Sequence, residues 1–179
     1  MANGNESMRK QPNEEVAAQI TDLLAASCIE LFDAYGVKLT ADGSPWATHE
    51  GTLLSGVIGF VGSRVRGTCL LASTELPIEA SCPPGGRARD WVGELTNQLM
   101  GRLKSKLVAR GLGVELSTPI VLSGVRIQPL PKAKLEPTVL SSDRGPVLVW
   151  LEIETAADFA LGTERQGLSG VEGDVLLFE

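Results

Sequence analysis

The strongest constraint on this chain is the helix predicted over residues 87–110, because half of its circumference is apolar and has to be covered. At about 100° per residue, Trp91, Val92, Leu95, Thr96, Leu99, Met100, Leu103 and Leu107 fall within roughly 180° of one another. A face that wide suits a β-sheet. The flanking sequence supplies one: 52–61 (TLLSGVIGFV) and 66–73 (RGTCLLAS) read as strands joined by a tight turn near Gly62 and Ser63. Short strands are predicted over 113–119 and 120–128, and two further ones over 147–154 (VLVWLEIE) and 173–178.

A second helix is predicted over 14–35, where Val16, Ile20, Leu23, Leu24, Ser27, Leu31 and Ala34 keep the i, i+3, i+4 rhythm and Gly36 follows as a stop. Gly111 is the corresponding stop for 87–110. The order helix, strands, helix, strands is not the strict alternation of a doubly wound fold. It predicts an α+β domain: a mainly antiparallel β-sheet with two long α-helices packed on one side. A short strand near 37–40 fits beside it. Residues 41–51 (ADGSPWATHEG) read as a loop. Residues 74–86 hold three prolines and two glycines and are expected to form no regular element, with 76–80 at most extending a sheet edge. Residues 129–146 are a Pro-rich connector, and 155–172 are ambiguous. The expected organisation is a flexible tail over 1–13 and a single domain over 14–179.

Composition removes several function classes. The formal net charge of −6 speaks against general nucleic-acid binding. No apolar run reaches the roughly 18 residues of a membrane span, and the first residues lack the pattern of a signal peptide. Cys28, Cys69 and Cys82 fit neither a disulfide framework nor a metal-ligand spacing. A reducing cytoplasm is the simplest compartment, with Cys28 and Cys69 as buried free thiols. The single histidine, His49, reads as a solvated loop residue, and no metal site is expected.

The helix over 87–110 also contains Gly93 and Gly101, each of which costs about 1 kcal/mol against alanine in a helix interior. Between them lie Glu94 and Asn97, and the wheel puts all four opposite the apolar face. Two readings of the glycines stand equal. They leave bare backbone for another molecule to approach, or they pack beneath a neighbouring element of the same chain. Arg87, Arg89, Arg102, Lys104, Lys106 and Arg110 cluster in or beside this helix. They read either as a solvated face or as a surface for an acidic partner, the former being favoured. The bare pattern Glu-x-x-Asn says little without its placement.

At this helix the sequence resembles the CheX/CheC family of chemotaxis phosphatases. Asp90, Glu94 and Asn97 match the family pattern of an acidic residue or Ser, then Glu, then Asn, and Pro119 stands within a residue of its expected proline. GELTNQLMGRLKSKL followed by VELSTPIVLSG is particularly similar to the CheX branch. The resemblance is specific over about 88–126. It implies a CheC-like fold and removal of the phosphoryl group from the aspartyl phosphate of a CheY-like response regulator. Carried over, the catalytic residues are Asn97, which would orient the attacking water, and Glu94, which would pair with a receiver lysine. Asp90, Gly93, Gly101, Lys104 and Pro119 are the expected binding residues around them. Mg²⁺ would come with the receiver, and none would be held by this chain. Members with two sites carry Glu-x-x-Asn on both long helices. Here the first helix offers Glu30 and Asp33 at that spacing, without an Asn. A single site is the CheX arrangement, whose members tend to pair as homodimers. The alternative implied by the same fold is a non-catalytic module that binds a receiver or the flagellar switch.

Overall fold

Two long helices end by the same device. In the computed structural model, which describes residues 12–41, 51–125 and 136–164, α1 runs over Pro12–Ala34 and α3 over Ala88–Val108. Gly36 (φ 78°) and Gly111 (φ 81°) follow them in the left-handed region, which glycine adopts without a Cβ penalty. After α1, Val37 N–H reaches Phe32 O and Gly36 N–H reaches Asp33 O, both at 2.9 Å. After α3, Leu112 N–H reaches Leu107 O and Gly111 N–H reaches Val108 O, again at 2.9 Å. These paired bonds satisfy the last carbonyls of each helix, so both glycine stops act as their sequence position predicts.

Between and after the helices lie β1 (Thr40–Ala41), β2 (Thr52–Gly62), β3 (Val65–Ser73), a short α2 (Glu75–Ser81), β4 (Val114–Leu116), β5 (Ile120–Val125), β6 (Thr138–Ser142) and β7 (Gly145–Thr155). The strands form one sheet in the order β1-β6-β7-β3-β2-β4, with β5 pairing the other half of β2's outer edge. Every pairing is antiparallel. This is the expected α+β architecture, and α1 and α3 lie side by side on one face, α3 over β2 and α1 over β7.

Alternation along the strands builds that face. Leu54, Ile58 and Phe60 of β2, Cys69 and Leu71 of β3, and Val147, Val149 and Leu151 of β7 join Ile20, Leu24, Leu31, Leu95, Leu99 and Leu103 in the main core. Each such side chain contributes roughly 1.5–3 kcal/mol by leaving water. The alternate residues Leu70, Ala72, Leu148 and Trp150 form a second buried cluster on the opposite face. Burial on both faces is why these strands read as near-continuous apolar runs. On α1 the predicted rhythm holds except at its end, where Ala34 is exposed and Phe32 is buried.

Two expectations are overturned. Residues 74–86 are not wholly irregular, since Glu75–Ser81 is helical with Pro77 in its first turn. The first N–H groups of a helix have no intrahelical acceptor, so proline there removes no bond. Pro83 and Pro84 lie beyond the helix end. The connector over 129–146 contains a strand, β6, which pairs with β7 through a two-residue turn at Asp143 and Arg144 (Ser142↔Gly145). Gly145, at φ 123°, takes the backbone conformation the turn demands. The predicted strand over 173–178, the loop with His49, and most of the tail over 1–13 lie outside the described residues.

Candidate functional site

Gly56 sets how close the site helix comes to the sheet. A Cβ built on Gly56 would lie 2.8 Å from Thr96 Cβ, so the Thr96 side chain of α3 seats directly against the bare β2 backbone there. Thr96 is fully buried, and its hydroxyl donates to Val92 O at 2.7 Å. Seating Thr96 inward turns its neighbour Asn97 outward. Asn97 is exposed, and its amide makes no hydrogen bond among the described residues.

Glu94 is exposed one turn away, and its carboxylate is held. Gln98 Nε2 donates to Glu94 Oε1 at 2.9 Å, and Tyr35 Oη donates to Gln98 Oε1 at 2.8 Å. Tyr35 follows α1 directly and packs edge-on against Trp91, with ring centroids 4.9 Å apart and planes at 89°. Trp91 Nε1 donates to Ser81 Oγ at 3.1 Å, and Ser81 Oγ donates to Ile78 O at 2.9 Å. All three helices therefore meet beside Glu94. An open groove of about 370 Å³, lined by Cys82, Pro83, Gly86, Arg87, Asp90 and Trp91, runs up to Glu94.

The two helix glycines have different explanations. Gly93 is buried, and a Cβ there would lie 2.7 Å from Val121 Cγ2. It is not on an open face as the wheel suggests, because β5, absent from a wheel drawn on one helix, closes over that side. Gly101 is half-exposed, and a Cβ there would meet nothing within 4 Å. Gly93 thus packs within the chain, and Gly101 leaves bare backbone one turn beyond Asn97.

The remaining predicted residues surround the pair less closely. Asp90 is exposed and accepts from Arg87 Nε at 2.7 Å, at the N-terminal turn where a carboxylate is favoured by the helix dipole. Lys104 is half-buried and 3.9 Å from Glu115. Pro119 is half-buried where the chain enters β5, two residues before Val121. The corner before it is fastened by Ser117, whose backbone N–H donates to Gly59 O and whose Oγ accepts from Gly59 N–H, both at 2.9 Å. The basic cluster is largely paired inside the chain: Lys106 with Glu30 at 2.7 Å, Arg110 with Glu164 at 3.0 Å, and Arg87 with Asp90 at 2.6 Å. Such pairing supports a solvated face rather than a basic docking patch.

Sequence reasoning missed Tyr35, Gln98 and Val121. Gln98 stands four residues after Glu94, a spacing that places the two side chains together on a helix, and so was findable. Tyr35 lies 63 residues from Gln98 and announced nothing. Among the described residues no group of three or more His, Cys, Asp or Glu side chains could hold a metal ion.

Residues 84–139, which carry α3, β4 and β5, match the family described as "Chemotaxis phosphatase CheX". Over that segment the chain is similar to the CheX family. Its fold is that of a chemotaxis protein CheX from Vibrio vulnificus, with 24% identity, a TM-score of 0.64, and coverage of 76% of this chain and 97% of that one. A chemotaxis protein CheX from Desulfovibrio desulfuricans is similar at 19% identity and a TM-score of 0.62, covering 76% of this chain and 99% of its own. The CheX of a CheX–CheY–BeF₃–Mg²⁺ complex from Borrelia burgdorferi is 16% identical, with a TM-score of 0.56 and coverage of 78% and 97%. No curated protein sequence matches the chain. At these identities the solved structures establish the CheC-like fold, and the family match falls on the segment that holds Glu94 and Asn97.

Proposed function

We propose that this chain is a phosphatase of a CheY-like response regulator, hydrolysing its aspartyl phosphate. The observation that carries the reading is the state of Asn97: an exposed amide with no partner among the described residues, one turn from a carboxylate held in place, inside the segment that matches CheX.

The chemistry suits those groups. Phosphoryl transfer passes through a loose transition state, so catalysis rests on positioning and charge stabilisation. An amide accepts a hydrogen bond through its oxygen and donates through its nitrogen. Asn97 therefore orients a water for in-line attack without acting as a base, and holding that geometry removes entropic cost. Glu94 pairs with a lysine of the receiver and fixes the docking. Mg²⁺ belongs to the receiver in this reading, as the Borrelia complex with CheY, BeF₃ and Mg²⁺ suggests, and it supplies charge stabilisation at the phosphoryl group.

Two further parts of the proposal concern setting. The site of action is the cytoplasm, in keeping with a receiver partner; no helix among the described residues is long and apolar enough to cross a membrane. The working form is a homodimer, a reading supported by β5, which pairs only with β2 among the described residues and exposes Ile120 and Val125 by 63% and 61%.

The test is phosphate release from a Mg²⁺-bound, phosphorylated CheY-like receiver of the same organism. Asn97→Ala is expected to lower the rate by about a hundredfold with the unfolding midpoint unchanged. Glu94→Ala is expected to weaken receiver affinity chiefly. A folded Asn97→Ala protein with wild-type activity refutes the mechanism. Binding of the receiver by the wild type without acceleration would point to the non-catalytic module.

A further inference from the structure

We infer that Tyr35 and Gln98 are positioning residues for Glu94, forming a one-directional hydrogen-bond relay that holds the docking carboxylate in place before a partner arrives. The inference rests on the reading of Glu94 as the group that meets a receiver cation.

The direction of the relay follows from donor and acceptor chemistry. An ionised carboxylate only accepts, so Gln98 must present its NH₂ to Glu94, as it does at 2.9 Å. The amide oxygen then faces Tyr35. A carbonyl oxygen also only accepts, so the Tyr35 hydroxyl must donate, at 2.8 Å. Each bond polarises the next in the same sense. Turning the Gln98 amide over would set its oxygen against the carboxylate and is excluded by charge.

The relay is anchored at its far end. The Tyr35 ring is fixed edge-on against Trp91, and the Trp91 indole is fixed by Ser81. Glu94 would otherwise be a long, exposed side chain free to sample several rotamers. Ordering such a side chain on binding costs rotamer entropy, and the relay lowers that cost in advance. It engages Oε1 and leaves Oε2 for a lysine ammonium. Tyr35 reaches Glu94 only through Gln98, so its effect is on docking geometry and not on the reacting atoms.

The decisive variant is Tyr35→Phe, which removes the hydroxyl and keeps the ring against Trp91. Affinity for the Mg²⁺- and beryllofluoride-loaded receiver is expected to fall about threefold, while the rate at saturating phosphorylated receiver stays at the wild-type value. In a Glu94→Ala background the same change is expected to have no further effect, because the relay then ends on nothing. An equal loss in both backgrounds, or a lowered saturating rate, overturns the relay and makes Tyr35 merely structural. A second measurement requires no receiver: the Gln98 side-chain NH₂ resonances. The relay predicts that in the wild type the Nε2 proton donated to Glu94 exchanges more slowly than its geminal partner, and that this protection falls in Tyr35→Phe. Solvent-like exchange in the wild type overturns the inference. A wild type that shows the ordered amide but neither binds nor dephosphorylates any receiver supports the relay and refutes the proposed function, so the two failures are distinguishable.

Discussion

Alanine at the two glycines of α3 should have effects of opposite sign, and the difference can be worked from their surroundings. Alanine in place of glycine in a helix interior gains roughly 0.5–1 kcal/mol, chiefly by restricting the unfolded chain. At Gly101 nothing lies within 4 Å of the added Cβ, so the full gain should appear. At Gly93 the Cβ would stand 2.7 Å from Val121 Cγ2, well inside van der Waals contact. Val121 is β-branched and restricted at χ1, so its rotamer or β5 must give way, and overpacking of this kind costs about 1–3 kcal/mol. Gly101→Ala is therefore expected to be about 1 kcal/mol more stable than wild type, and Gly93→Ala about 1 kcal/mol less stable. Urea unfolding with unchanged slope gives both values. Equal stabilisation by the two variants would refute the packing argument for Gly93. The same pair tests function: Gly101→Ala puts a methyl one turn beyond Asn97 and should weaken receiver binding despite its greater stability. Unchanged affinity would show that the bare backbone at Gly101 is not part of the contact.

Gly56→Ala should lower stability by about 1–3 kcal/mol, because its Cβ would meet the fully buried Thr96; it should also depress phosphate release, since moving Thr96 moves Asn97, and a neutral result in urea unfolding would contradict the close approach of β2 and α3. Thiol labelling should find Cys82 reactive in the native protein, while Cys28 and Cys69, both fully buried, should react only on unfolding. Burial pushes the Cys69 thiol up from 9.0 to about 12, and raises Cys28 further, with the neighbouring Cys69 adding to the effect. The unfolded chain therefore loses these protons first as pH rises. Stability should be full below the unfolded thiol value of 9.0 and fall above it until the folded value of about 12 is passed, at about 1.4 kcal/mol per pH unit for each thiol. A Cys69→Ala variant with the same alkaline slope as wild type would refute this assignment.

What the sequence made legible follows from which forces are local. The two long helices, their glycine stops and the long strands β2, β3 and β7 depend on apolar periodicity and backbone conformation, both written in adjacent residues. The short elements were hidden for a physical reason. Pro77 looks like a breaker until it is known to fall in the first turn of α2, where no N–H is required. The β6–β7 turn uses Asp143 and Arg144 in place of the Asn-Gly or Asp-Gly that would have announced a hairpin, and the prolines around it argued for a connector. At the candidate site, the mutual position of Glu94 and Asn97 was readable because a helix fixes it. Gly93 was misplaced because its burial depends on β5, a strand 28 residues away whose packing no helical wheel contains. Tyr35 was invisible for the same reason at longer range.

The asymmetry between the two long helices follows from this packing. Glu30 and Asp33 of α1 have the spacing of Glu94 and Asn97, yet their roles differ in kind. Glu30 accepts from Lys106 Nζ at 2.7 and 2.9 Å, tying α1 to α3, and Asp33 pairs with Lys38 just past the helix end. These exposed pairs contribute little energy, about 0–1 kcal/mol each, so their importance is geometric. A carboxylate at position 33 accepts hydrogen bonds but cannot donate, and so cannot hold a water from both sides as an amide does. α1 instead delivers the Tyr35 hydroxyl to Gln98. One helix presents Glu94 and Asn97 and the other braces them, and the brace meets them through Glu94 while the Asn97 amide makes no hydrogen bond among the described residues.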